Sequence, residues 1–84
     1  MTDQELDVLD ELYFVISFAQ LQQDVGMDKI MLKEILKRLF EKGWIKCFAA
    51  ASVELLPHEV DIDNSFQNYS YLATKSGLLA HNGC

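Results

Sequence analysis

The stretch LQQDVGMDKIMLKEILKRLFEKGWI, Leu21–Ile45, contains two helices and the turn between them. Leu32, Ile35, Leu36 and Leu39 recur at the 3.6-residue spacing that puts them on one stripe, with Phe40 at its edge. Asp28 stands where a side-chain oxygen caps the first free amides of a helix, and Gly43 stands where a left-handed residue closes one. The spacing therefore predicts a helix over about 29–42. Upstream, Ser17 and Gln20 have the spacing of a capping box, and Gly26 supplies a C-cap, so FAQLQQDV reads as a shorter helix. Only a few residues around Gly26 separate the two helices. That is a helix-turn-helix layout over about 18–42.

On the amino-terminal side, Thr2 and Glu5 form a second capping-box pattern, and Leu6, Leu9, Leu12 and Tyr13 repeat at helical spacing, which predicts a first helix over about 3–12. Val8 falls on its outer side, where it is a candidate for a dimer contact. YFVIS (13–17) is aromatic and β-branched and reads as a short strand. On the carboxyl-terminal side, WIKCF (44–48) reads as a strand, SVELL (52–56) as its extension or a local partner, and YSYLA (69–73) as the returning strand. PHEVDIDNSFQN (57–68) is polar and reads as a loop at the tip of this hairpin. Thr74 then caps a short last helix, KSGLLAH, whose Leu78 and Leu79 are further candidates for self-association.

This order of helix, strand, two helices, strand, loop, strand and short helix resembles the winged-helix family over almost the whole chain. The segment Leu21–Ile45 is similar to the family's helix, turn, recognition helix and glycine-aromatic-isoleucine entry to the wing. YLATKSGLLAH (71–81) is similar to the Y-x-L-T-x-x-G close of the wing in many bacterial regulators, with an altered register at YLAT. The resemblance implies an α+β winged helix-turn-helix: a three-helix core, a β-hairpin wing at about 44–73 and a short C-terminal helix, all in one domain, 1–84.

Charge is the second signal. The chain of 84 residues has formal net charge -6, yet six of its seven bases (Lys29, Lys33, Lys37, Arg38, Lys42 and Lys46) lie in 29–46. Residues 1–28 carry seven acids and no Lys or Arg, and 47–84 carry four acids against Lys75. On an ideal helix Lys33, Lys37 and Arg38 fall away from the apolar stripe, beside Ile30, Glu34 and Glu41. The resemblance assigns that face to double-stranded DNA: Lys29, Ile30, Lys33, Glu34, Lys37 and Arg38 would meet the major groove, and Ser17 and Gln20 at the start of the preceding helix would offer amides to a phosphate. The spacing also pairs Glu34 with Arg38 and Glu41 with Lys37. The expected function is a small transcriptional regulator, acting as a homodimer or as part of an assembly because a helix-only footprint makes few phosphate contacts.

An acidic wing points the other way. Residues 49–68 hold Glu54, Glu59, Asp61 and Asp63 and no Lys or Arg. The alternative is a winged-helix module that docks a protein partner through its acidic first helix or wing and leaves DNA alone.

Other classes find no support. HEVDIDN (58–64) lacks the glycine and terminal glutamate of a calcium loop. Cys47 and Cys84 read as a buried and a tail thiol rather than a disulfide framework. No nucleophile elbow, P-loop or zinc motif occurs, so neither an enzyme nor a cofactor is expected. No apolar run reaches the length of a membrane span, and the acidic start is unlike a signal peptide, so no membrane partner and a cytoplasmic location are expected. Of nine aromatic residues, most are expected in the core, with Phe14 and Phe66 the candidates for a surface.

Overall fold

The 3.6-residue stripe of the third helix is the centre of the core. In the computed structural model, which describes residues 3–50 and 53–82, Leu32, Ile35, Leu36 and Leu39 are all fully buried. The chain runs as α1 (Asp3–Glu11), β1 (Ile16–Ser17), α2 (Phe18–Val25), α3 (Lys29–Glu41), β2 (Ile45–Ala50), β3 (Val53–Glu54), α4 (Ile62–Ser65), β4 (Ser70–Ala73) and α5 (Lys75–Asn82). Single 3-10 turns at Pro57–Glu59 and Phe66–Asn68 flank α4. This is an α+β fold with a four-stranded antiparallel sheet in the order β1-β4-β2-β3.

The caps read from the sequence set the helix ends. Asp28 accepts the Ile30 amide at 3.0 Å at the start of α3, and Gly43, with φ 76°, donates to the Phe40 carbonyl at its end. Ser17 accepts the Gln20 amide at 3.3 Å, but the Gln20 side chain runs forward to Asp24 at 2.9 Å, so only half of that capping box forms. Gly26, with φ 66°, closes α2. Thr2 lies outside the described residues.

Three expectations are corrected. The strand expected over 13–17 is only Ile16–Ser17, because β4 ends at Ala73 and the Ala73 amide is taken by the Leu12 carbonyl at 2.9 Å. Tyr13, Phe14 and Val15 lie beyond that ladder and are exposed, Phe14 by 82%. Val8, expected on the outside of α1, is fully buried, because α1 packs against α2, α3 and α5 and needs apolar residues on more than one side. Of the two aromatic surface candidates, Phe14 is exposed and Phe66 sits in the core.

The third correction bears on function. Residues 57–68 do not project as a loop. Asp61 caps α4, accepting the Asn64 amide at 3.4 Å, and Glu59 accepts the Leu56 amide at 2.9 Å. Ile62, Phe66 and Tyr69 follow at helical spacing and all three are buried. The Phe66 ring meets Phe18 of α2 edge-on, with centroids 5.0 Å apart. The buried Tyr71 hydroxyl donates to the Phe66 carbonyl at 2.8 Å, and the Tyr69 hydroxyl accepts the Asp61 amide at 2.9 Å. Apolar burial and these hydrogen bonds fold the segment back over α2 and α3.

β2 and β4 pair from Ile45↔Ala73 to Phe48↔Ser70. Cys47 on this ladder is fully buried, and burial pushes its thiol up from 9.0 to about 12, so it stays protonated and unreactive. Cys84 lies outside the described residues. Where β4 passes into α5, Thr74 accepts the Gly77 amide at 3.1 Å and donates its hydroxyl hydrogen to the Gly43 carbonyl at 2.7 Å. The cap of α5 is thereby tied to the end of α3. In α5, Leu78 is half-buried and Leu79 is 63% exposed.

Candidate functional site

The outer face of α3 is where the sequence concentrates positive charge, and the fold brings acids to it. Asp63, in α4, lies against the middle of this face. Lys37 Nζ donates to both its carboxylate oxygens, at 3.1 and 3.0 Å. Lys33 Nζ stands 3.9 Å from Asp63 Oδ1 and 3.9 Å from Glu34, and lies 5.9 Å from the centroid of the Phe66 ring. The Lys33 side chain is only 17% exposed. The hydrogen bond from Lys37 to Asp63, and then the charge of that carboxylate, hold the Lys37 ammonium above the usual lysine range.

Two further bases are paired with acids distant in sequence. Lys42 reaches Glu5 of α1 at 3.2 Å and lies 4.7 Å from the centroid of the Trp44 ring. The Glu5 carboxylate is buried, so its opposite charge offsets a desolvation cost that an exposed pair would not carry. Lys46 of β2 pairs with Glu54 of β3 at 3.2 Å, across the sheet edge. Lys29 and Arg38 are exposed and make no ion pair among the described residues. The pairs expected by spacing, Glu34 with Arg38 and Glu41 with Lys37, are also not formed among these residues: Lys37 turns to Asp63, and Glu34 stands 3.9 Å from Lys33. With Glu5, Glu54 and Asp63 added to the stretch 29–46, its net charge falls from four positive charges to one.

The residues expected at a DNA interface therefore divide. Lys29, Ile30, Glu34 and Arg38 are exposed on α3, Ile30 by 51%. Lys33 and Lys37 are half-buried under the 57–68 segment. Ser17 and Gln20 are exposed at the start of α2, but the Gln20 amide is taken by the Ser17 hydroxyl and the Phe18 amide by the Tyr69 carbonyl at 3.2 Å. Two of the amides that would have met a phosphate already have partners.

Asp63 and Glu5 are the residues that sequence reasoning missed at this site. Asp63 had a usable signal, since the Ile62, Phe66 and Tyr69 period places a helix under it. Glu5 had none, because its partner lies 37 residues away. The acids of HEVDIDN act as caps and ion-pair partners, and no metal-binding group of three or more His, Cys, Asp or Glu occurs among the described residues. No helix of the described residues is long and apolar enough to cross a membrane. In comparisons with family models, curated proteins and solved structures, the chain matches none.

Proposed function

We propose that the chain is a protein-interaction module built on a winged helix-turn-helix, in which the helix that would read DNA is neutralised by the protein's own acids. The order of elements supports the winged-helix reading. Three helices precede a β2–β4 pair, and the short strand between α1 and α2 completes the sheet against β4. In this reading the wing carries an insertion, residues 57–68, that folds back over α3.

The observation that carries the functional reading is the Asp63 carboxylate, hydrogen-bonded to Lys37 and 3.9 Å from Lys33. A phosphate approaching these lysines meets a carboxylate already seated between them. Binding would have to break that pair or set two like charges side by side. Lys29 and Arg38 would then neutralise only about two phosphates, too few for appreciable affinity at physiological salt.

A second reading, as a DNA-binding transcriptional regulator, rests on the exposed half of the same face, Lys29, Ile30, Glu34 and Arg38. A titration of random-sequence duplex DNA, followed by fluorescence anisotropy at about 50 mM salt, separates the two. The interaction-module reading predicts no binding tighter than about 100 µM, the weak end of non-specific affinity. Micromolar binding that falls steeply with salt and disappears in Lys29→Glu plus Arg38→Glu would establish the regulator instead.

A further inference from the structure

A groove of about 470 Å³ lies where the carboxyl end of α3 meets β2 and β3. Phe40, Ile45 and Leu55 form its apolar wall, and Glu41, Lys46 and Glu54 stand on its rim. A smaller pocket of about 190 Å³ adjoins it, sharing Phe40 and Glu41 and continuing to Asp61 and Asp63. The larger volume is within the range that holds apolar side chains of a ligand.

The charges around the two pockets are unequal. Both bases are already engaged, Lys46 with Glu54 at 3.2 Å and Lys37 with Asp63 at 3.0 Å. Glu41 makes no ion pair among the described residues, and the Asp61 carboxylate accepts only from the amide and side chain of Asn64. The rim is left with two carboxylates outside ion pairs above an apolar floor, Glu41 sharing the field of Lys37.

We propose that this groove docks a basic amphipathic segment of a partner protein, with an apolar side chain against Phe40, Ile45 and Leu55 and a Lys or Arg against Glu41 and Asp61. The inference rests on the interaction-module reading and names its surface and partner chemistry. Charge complementarity selects this occupant. An acidic or phosphorylated segment would meet Glu41 and Asp61 as like charges. A second copy of the chain offers Lys29, Arg38 and Lys75 outside ion pairs among the described residues, the first two about 14 Å apart along one helix and the third on α5, and it brings a formal net charge of -6 to the contact.

Amide chemical-shift mapping of the full chain with two synthetic peptides of equal length tests this. One is an amphipathic leucine/lysine peptide, and the other replaces every lysine with glutamate. The leucine/lysine peptide is expected to shift the amides of Gly43, Ile45 and Leu55 with one saturating curve, and the leucine/glutamate peptide is expected to leave them in place. Glu41→Lys, at an exposed position that keeps the fold, is expected to weaken the first peptide at least about fivefold.

Four results would overturn the groove as a docking site for a basic segment: no shifts, equal shifts from both peptides, an unchanged affinity in Glu41→Lys, or the same shifts appearing with protein concentration alone. The last would assign the groove to a second copy. Saturable shifts confined to the exposed acids of α1, Asp3 and Asp7, would sink the groove while leaving an interaction module standing. Micromolar duplex binding by the unmodified chain would sink the module itself.

Discussion

Gly77→Ala is expected to lower the stability of the domain by about 3 kcal/mol or more, enough to drop Tm by about 12–24 °C. The direction is the reverse of the ordinary one, since alanine inside a helix is normally favoured over glycine by about 1 kcal/mol. At position 77 a Cβ would fall onto the backbone carbonyl of Trp44. That carbonyl cannot move aside as a side chain would. It accepts the Thr74 amide at 2.8 Å, and Thr74 in turn holds the Gly43 carbonyl and caps α5. A shift at Trp44 therefore disturbs the end of α3, the start of β2 and the cap of α5 together. Gly26→Ala is the matched control. Its φ of 66° disfavours a side chain, but nothing lies within 4 Å of an added Cβ, so the cost there should be only about 1–2 kcal/mol. Thermal and urea unfolding of the two variants beside the parent measures both effects. A Gly77→Ala variant as stable as the parent would mean that α5 does not pack on Trp44 as described.

The second large effect is a gain. Asp63→Lys should convert a chain expected to bind duplex DNA no more tightly than about 100 µM into a salt-sensitive, sequence-independent binder. The substitution removes the carboxylate between Lys33 and Lys37 and adds a base, so that Lys29, Lys33, Lys37, Arg38 and the new lysine lie on one surface. With three to five phosphates neutralised, log K should fall with log salt at a slope of about -2.7 to -4.5. The fold should tolerate the change. The pair is open to solvent and adds little to stability, whereas Ile62, Phe66 and Tyr69 anchor the segment by burial. Anisotropy titrations at several salt concentrations, with unfolding curves to confirm the fold, give the result. A folded Asp63→Lys variant that still ignores DNA would show that masking by Asp63 is not what separates this helix from nucleic acid.

The legible parts of the fold are those governed by local rules. α3 was readable because its apolar stripe, its Asp28 cap and its Gly43 terminator agree with one another. The return strand and the Thr74 cap were readable for the same reason. The sequence overstates β1, because the extent of that strand is set by where β4 ends, which no local pattern records. The 57–68 segment has the composition of a loop, because its polar residues outweigh the helical spacing of Ile62, Phe66 and Tyr69 that carries the information.

The site was less legible than the fold. Which residues are basic, and which face of α3 they occupy, follows from helical geometry. Which acid each base meets does not. The i, i+4 rule selects Glu34 for Arg38 and Glu41 for Lys37, whereas the fold delivers Asp63 from 26 residues away and Glu5 from 37. Those choices depend on the long-range packing of α1 and α4, and they separate a bare basic face from a neutralised one.

The central claim is that residues 57–68 lie on α2 and α3 and place Asp63 against the lysines. Nuclear Overhauser spectroscopy of the folded chain addresses it directly. Cross-peaks are expected from the Phe66 ring to the Phe18 ring and to the side chain of Lys33, with Lys33 methylenes shifted upfield by the aromatic ring beneath them. Absence of both cross-peaks, with random-coil shifts for the amides of 57–68, would mean a projecting wing and an uncovered basic helix, and would contradict it.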